Sequence, residues 1–207
     1  MAVQARARGD RAREKVRQAR QEAYRGLILE AAERIFGAKG YGAAKVAEIA
    51  EAAGVATGTV YAIFASKQEL YRAIHRSNLE ELAKRYAEIP TDGSSRQVIL
   101  ARSAAATRFL IEHPSYLRVY LREAGRWGFD PSELPAGAAA FMDADLYRRG
   151  VADGELVDED PAILQSLAMS ASQVHLSHWV KAGMQDPAET VIERIQSHYR
   201  RALFRSG

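Results

Sequence analysis

The stretch "GVATGTVYAIFASKQEL", Gly54 to Leu70, gathers several hydrogen-bonding side chains into a short space. Thr57 and Thr59 bring hydroxyls, Tyr61 a phenol and Lys67 an ammonium, while Gly58 between the threonines has no side chain at all. Such groups can meet phosphate oxygens and base edges. They do not form the nucleophile–base arrangement that covalent catalysis needs. Chemistry elsewhere is thin. His175 and His178 stand at i, i+3, but no third ligand lies at nearby spacing, so no metal site is assigned. With no cysteine, the chain has neither a disulfide framework nor a thiolate metal site. Asp143 and Asp145 are the other conceivable catalytic groups, and no phosphate loop or metal signature accompanies them. No catalytic residue and no cofactor is therefore expected.

Two short helices position the polar cluster. "KVAEIAEAA" places Val46, Ile49 and Ala50 on one side and ends at Gly54, and a second helix restarts near Thr57 and runs to Phe64. Two helices joined by a tight glycine-containing turn form a helix-turn-helix. Val46, Ile49, Ala50, Val55, Val60 and Phe64 are spaced to pack these helices on each other and on a preceding one. That one carries Leu27, Ile28, Ala31, Ala32, Ile35 and Phe36 on a single face and stops at Gly40. The N-terminal turn of the second helix is left exposed and bare, as in units that insert this turn into the DNA major groove.

Charge agrees with an anionic partner. The 207-residue chain has a net charge of +3, yet its first twenty residues hold seven basic groups against two acidic ones. Arg11, Arg13, Arg17 and Arg20 are candidates for a DNA-binding arm along or into the minor groove. The other reading is a helical extension, since "REKVRQARQEAYR" is good helix-forming sequence. No 18-residue apolar run exists and the N-terminus has no secretory pattern, so a cytoplasmic protein without a membrane partner is expected.

Strand signals are nearly absent, and an all-α fold of about nine helices is expected: 17–39, 45–53, 57–64, 67–89, 95–113, 115–126, 131–152, 161–182 and 187–204. Several starts are marked by caps. "SKQE" puts Ser66 at an N-cap with Glu69 three residues on. "DPSE" (Asp130 to Glu133), "DEDPA" (Asp158 to Ala162) and "DPAE" (Asp186 to Glu189) put an acid before a proline at the first helical position. Residues 1–16 read as a basic arm or helical extension, 17–66 as the DNA-binding domain and 67–207 as a helical effector-binding and dimerisation domain.

The run "AAERIFGAKGYGAAKVAEIAEAAGV", then "GTVYAIF", then "SKQELYRAI" resembles the TetR family of transcriptional regulators over roughly residues 20–75. The resemblance implies a homodimer that binds palindromic double-stranded DNA and is released by a small, mostly apolar molecule. It implies that Thr57, Gly58 and Thr59 form the groove-facing start of the recognition helix. Tyr61 and Lys67 would then meet phosphate. Lys45 stands where the family often has a capping Ser or Thr, so a charge contact would replace a hydroxyl contact. Ala56 stands in place of the usual capping Ser, so Thr57 is expected to cap and to shift the helix start by one residue. Ala62, Ile63 and Ala65 also depart from the family pattern.

The resemblance beyond residue 75 is architectural. It implies a cavity between helices five to eight, with Phe109, Tyr116, Tyr120, Trp127, Phe141, Met142, Leu146 and His175 as candidate lining, and Arg108 or Arg122 available to an acidic head group. It also implies that the last two helices join their copies in a four-helix bundle, with Leu167, Ala171, Val174, His178, Val191, Ile195 and Tyr199 at the interface. An effector-independent, nucleoid-like DNA binder and an activator fit the same residues. An all-helical enzyme built on the His pair or on Asp143 and Asp145 has no supporting arrangement.

Overall fold

In the computed structural model, the backbone is described for residues 2–123 and 143–205, and side chains for 13–122 and 143–205. These residues form nine α-helices and no strand. They are α1 (Ala2–Ala43), α2 (Val46–Ala52), α3 (Thr57–Ile63), α4 (Lys67–Ala87), α5 (Ser95–Glu112), α6 (Pro114–Glu123), α7 (Ala144–Ala152), α8 (Pro161–Lys181) and α9 (Ala188–Ala202). No single helix among the described residues is long and apolar enough to cross a membrane. The chain divides into two compact units, Met1–His75 and Arg76–Gly207, so the first turns of α4 belong to one unit and the remainder to the other.

In the first unit, α1 buries Ile28, Ala31, Ala32 and Phe36, the face expected from its periodicity, while Leu27 at its edge stays half exposed. The helix begins at Ala2 rather than near residue 17, so the basic N-terminal segment is helical. Gly40 adopts φ 79°, which breaks the helical geometry before Tyr41. Phe36, Tyr41 and Tyr71 pack ring against ring at 5.0–5.8 Å between centroids. His75 meets Tyr71 edge-on at 4.8 Å, and burial pushes its imidazole down to about 4. It is therefore neutral at neutral pH.

The α4 start follows its cap sequence in part. Ser66 accepts from the Glu69 N–H at 3.0 Å, and Glu69 reaches back to the N–H of Ala65 at 2.5 Å rather than to that of Ser66. Asp160 caps α8 by accepting from the N–H groups of Ala162 and Ile163, with Pro161 next. Asp186 does not cap α9. Pro187 takes the cap position, and the Asp186 carboxylate pairs with Arg194 at 2.5 Å instead. The "DPSE" cap lies outside the described residues.

In the second unit α5 is central, packing against α6, α7, α8 and α9. The α7–α8 loop and the C-terminus close over its first turn. The Val157 N–H donates to Leu203 O and the Arg205 N–H to Glu155 O, while the Arg96 side chain donates to Arg205 O at 2.7 Å and covers the Phe204 ring. Gly150 on α7 sits where this closure is tightest. A Cβ there would overlap Leu156 Cδ1 and come within 2.9 Å of Ser95 Cβ, and both Leu156 and Ser95 are buried. Gly150→Ala is expected to cost about 1–3 kcal/mol through overpacking. Chemical denaturation of the variant checks this; an unchanged midpoint would show that the loop yields freely.

Candidate functional site

The turn between α2 and α3 follows from one glycine. Gly54 takes φ 67°, its N–H donates to Glu51 O at 3.1 Å, and the Val55 N–H donates to Ala50 O at 3.0 Å. This pair of bonds satisfies the carbonyls at the end of α2 and requires a left-handed residue between them. The α2 and α3 axes consequently meet at a bend of 102°. Val46, Ile49 and Ala50 of α2 and Val60 and Phe64 at α3 are buried, and both helices pack against α1. The Arg25 guanidinium lies over the Phe64 ring at 4.7 Å.

What remains exposed is the start of α3. Thr57, Gly58 and Tyr61 face solvent, Tyr61 being 50% exposed, and Thr59 is half-buried. The first turn of α3 contains no acidic residue. The Thr59 N–H already donates to Ala56 O at 2.9 Å, and the earlier N–H groups of the turn, with the partial positive charge of a helix start, favour an anion. A Cβ at Gly58 would meet nothing within 4 Å, so packing within the chain does not demand glycine there.

The expected shift of the helix start does not occur. Ala56 is the N-cap, without a side-chain hydrogen bond, and Thr57 is the first helical residue, its hydroxyl one position too late to cap. Lys45 is the exposed N-cap of α2. Its ammonium has no acceptor atom, so the N-terminus of α2 is served instead by Glu48, whose carboxylate accepts from the Lys45 N–H at 3.5 Å. Lys39 pairs with Glu48 at 3.0 Å and holds that carboxyl below its usual range. Lys67 is half-buried, its Nζ 4.5 Å above the Tyr41 ring and 3.4 Å from Gly42 O. Along α1, Arg13, Arg17 and Arg20 are exposed; Arg17 pairs with Glu14 at 2.9 Å, and Arg20 donates to the Tyr24 hydroxyl. The Arg11 side chain lies outside the described residues.

The second unit holds a cavity of about 170 Å³, walled by α4 to α9. Of the expected lining, Tyr116, Tyr120 and Leu146 are on its wall. Phe109 is not. It is fully buried in the packing core, between His113 at 4.3 Å and the Arg85 guanidinium at 5.0 Å. His175 is also elsewhere, half-buried beside His198 at 5.6 Å on the α8–α9 surface. Trp127, Phe141 and Met142 lie outside the described residues. Arg108 pairs with Glu189 and Arg122 is exposed; neither reaches the cavity.

Sequence reasoning missed the wall's most polar members. Tyr86, Tyr147 and Tyr199 join Tyr116 and Tyr120, and burial pushes the phenols of Tyr86, Tyr120, Tyr147 and Tyr199 up, leaving them neutral. Arg102 lies on the wall too, paired with Asp143 at 2.8 Å. Tyr86 and Tyr199 come from α4 and α9, outside helices five to eight, and Tyr147 lies on α7 next to the expected Leu146. The α5 residues Ile99, Arg102, Ser103, Ala106, Thr107 and Leu110 recur at helical spacing, which was the available signal.

The expected interface residues separate by helix. On α8, Leu167 is 48% exposed, Val174 67%, and His178 is exposed, with Ala171 half-buried between them and Ile163 extending the stripe. On α9, Val191, Ile195 and Tyr199 are buried within the chain itself, because that stripe packs against α5 and α8. Tyr199 donates to Ala168 O at 2.7 Å, leaving the Ser172 hydroxyl, 2.9 Å away, to donate to it. These three cannot also meet a second subunit.

Comparison with known proteins agrees with this geometry. The family model described as "Bacterial regulatory proteins, tetR family" matches residues 28–74. The HTH-type transcriptional repressor KstR2 of Mycolicibacterium smegmatis is 30% identical over 173 residues, covering 81% of this chain and 84% of the relative. Among solved structures, the ketosteroid transcriptional regulator KstR2 of Mycobacterium tuberculosis superposes with a TM-score of 0.70 at 23% identity, over 88% of this chain and 95% of that one. The regulator FadR of Bacillus subtilis in complex with stearoyl-CoA gives 0.66 at 18% identity, over 83% and 97%.

Because Ala56 leaves the start of α3 uncapped, Ala56→Ser is expected to stabilise the first unit by about 0.5–2 kcal/mol. Thermal and chemical denaturation measure it. A loss of stability would mean that the N-terminal turn is not arranged as described.

Proposed function

The chain belongs to the tetR family of bacterial regulatory proteins, DNA-binding transcriptional regulators, and from that premise we propose a homodimeric repressor that binds a palindromic operator and is released by a small, mostly apolar ligand. One observation carries the DNA-reading part: the bare, acid-free and exposed first turn of α3, held by the buried residues behind it. Thr57, Gly58 and Thr59 enter the major groove, and Tyr61, Lys45 and Lys67 contact phosphates. Lys67 exchanges the Gly42 carbonyl for a phosphate oxygen. Arg13, Arg17 and Arg20 add charge along the backbone, and their helical setting favours contact along the duplex.

The exposed α8 stripe of Ile163, Leu167, Ala171, Val174 and His178 supports the dimer. A two-fold arrangement through α8 presents two copies of α3 to half-sites about 34 Å apart or a multiple of that. The α9 residues named above support its placement inside each subunit. The cavity supports the effector. Its aliphatic and tyrosine wall suits an apolar body, as do the bodies of the ketosteroid and stearoyl-CoA named for the similar regulators. Its volume suits a compact molecule. Release requires that the ligand bind the DNA-incompetent form more tightly than the competent one.

Anisotropy titrations on the chain's own upstream DNA and on a scrambled duplex test the reading. Replacing Thr57 and Thr59 together by alanine should cut the preference for the upstream DNA by about tenfold or more. Lys67→Ala should weaken both duplexes alike and lower the salt slope by about one. Full preference in the double threonine variant would move base reading away from the start of α3.

A further inference from the structure

We infer that the effector cavity selects a compact carboxylic acid, whose carboxylate takes the place of Asp143 on the Arg102 guanidinium. This inference deepens the reading of the cavity as an effector site and rests on it. Among the described wall residues, Arg102 and Asp143 carry the only charges; the others are aliphatic side chains, neutral phenols, hydroxyls and one amide. Their ion pair, 2.8 Å long, therefore decides what charge a ligand can bring in.

The two partners are not equally dependent on each other. Arg102 is 13% exposed and lies 5.6 Å from the Tyr86 ring, so without a carboxylate it would be a poorly solvated cation. Asp143 is 30% exposed and has a second role as the N-cap of α7, its Oδ1 accepting from the Leu146 N–H at 3.0 Å. Freed from Arg102, Asp143 keeps that hydrogen bond, the favourable helix end and contact with water. The site thus needs an anion at Arg102, and Asp143 can be exchanged for another at small cost. A ligand carboxylate offers the same two-oxygen geometry to the guanidinium fork. The neighbouring phenols of Tyr86 and Tyr147 are neutral and add no competing charge, while the aliphatic wall takes the hydrocarbon.

Size narrows the class. A cavity of about 170 Å³ is close to the engineered 150 Å³ cavity that admits benzene, which suits bodies of about six to ten carbons. Hexanoate, octanoate and 3-phenylpropanoate, each beside its primary amide, span that range and differ within each pair only in the head group. Calorimetric titration of the full chain should show at least one acid binding about tenfold or more tightly than its amide. Arg102→Gln should make acid and amide equal. Asp143→Asn keeps an oxygen for the Leu146 N–H and removes the competing charge, so it should tighten the acid several-fold and leave the amide unchanged.

Thermal melts establish that each variant is folded. If Arg102→Gln is not, the Asp143→Asn comparison decides alone. Amides binding as well as acids, or acid affinity unchanged in Asp143→Asn, would overturn the carboxylate assignment while leaving the cavity as an effector site. Failure of every acid and amide to bind would overturn both.

Discussion

A helix of seven residues is too short to stand alone in water, so α3 exists only because its far end is buried. Val60 and Phe64 are each 1% exposed, and the Arg25 guanidinium covers the Phe64 ring. That anchorage frees the near end from any structural duty. Its first turn has no side-chain cap, a glycine at its second position and two threonines, a composition that would unravel an isolated helix. Burial behind the turn and bareness at its front are two sides of one arrangement. The turn at Gly54 sets the angle that points the bare end outward.

The second unit follows a different rule. Its interior is not purely apolar, since five tyrosines, an arginine and an aspartate surround the cavity. Such groups are tolerated because they are engaged: Tyr199 by Ala168 O and Ser172, Tyr120 by Gln173, Arg102 by Asp143. Hydrophobic packing by α5, α7 and the closing C-terminal segment provides the rigidity around them, with Gly150 and Leu156 at the tightest contact. Where a wall group is partnered in this way, a ligand that meets it must exchange one interaction for another rather than merely fill space.

Much of the first unit was legible because its signals are local. Gly54 marks the turn after α2, Gly40 breaks the helical geometry of α1 without ending it, and Ile28, Ala31, Ala32 and Phe36 are buried on the one face that their spacing implies. The second unit was legible in outline only. An apolar stripe says that a helix face is covered, not what covers it. The α8 and α9 stripes look alike in sequence, yet Leu167 and Val174 remain exposed while Val191, Ile195 and Tyr199 pack inside the chain. Phe109 shows the same ambiguity, as a core aromatic that was indistinguishable from a cavity aromatic. Side-chain competition accounts for the capping differences. Asp186 had two possible partners, and Arg194 won over the α9 N-terminus. Arg102 gave no local hint, because its partner is 41 residues away in sequence.

The most direct test of the central claim is the affinity of the full chain for its own upstream DNA, measured against a scrambled duplex of equal length at physiological salt. A sequence-specific regulator should prefer the upstream DNA by about a thousandfold or more. Equal affinity for both duplexes, falling steeply with salt, would contradict it and leave a protein that holds DNA by charge alone.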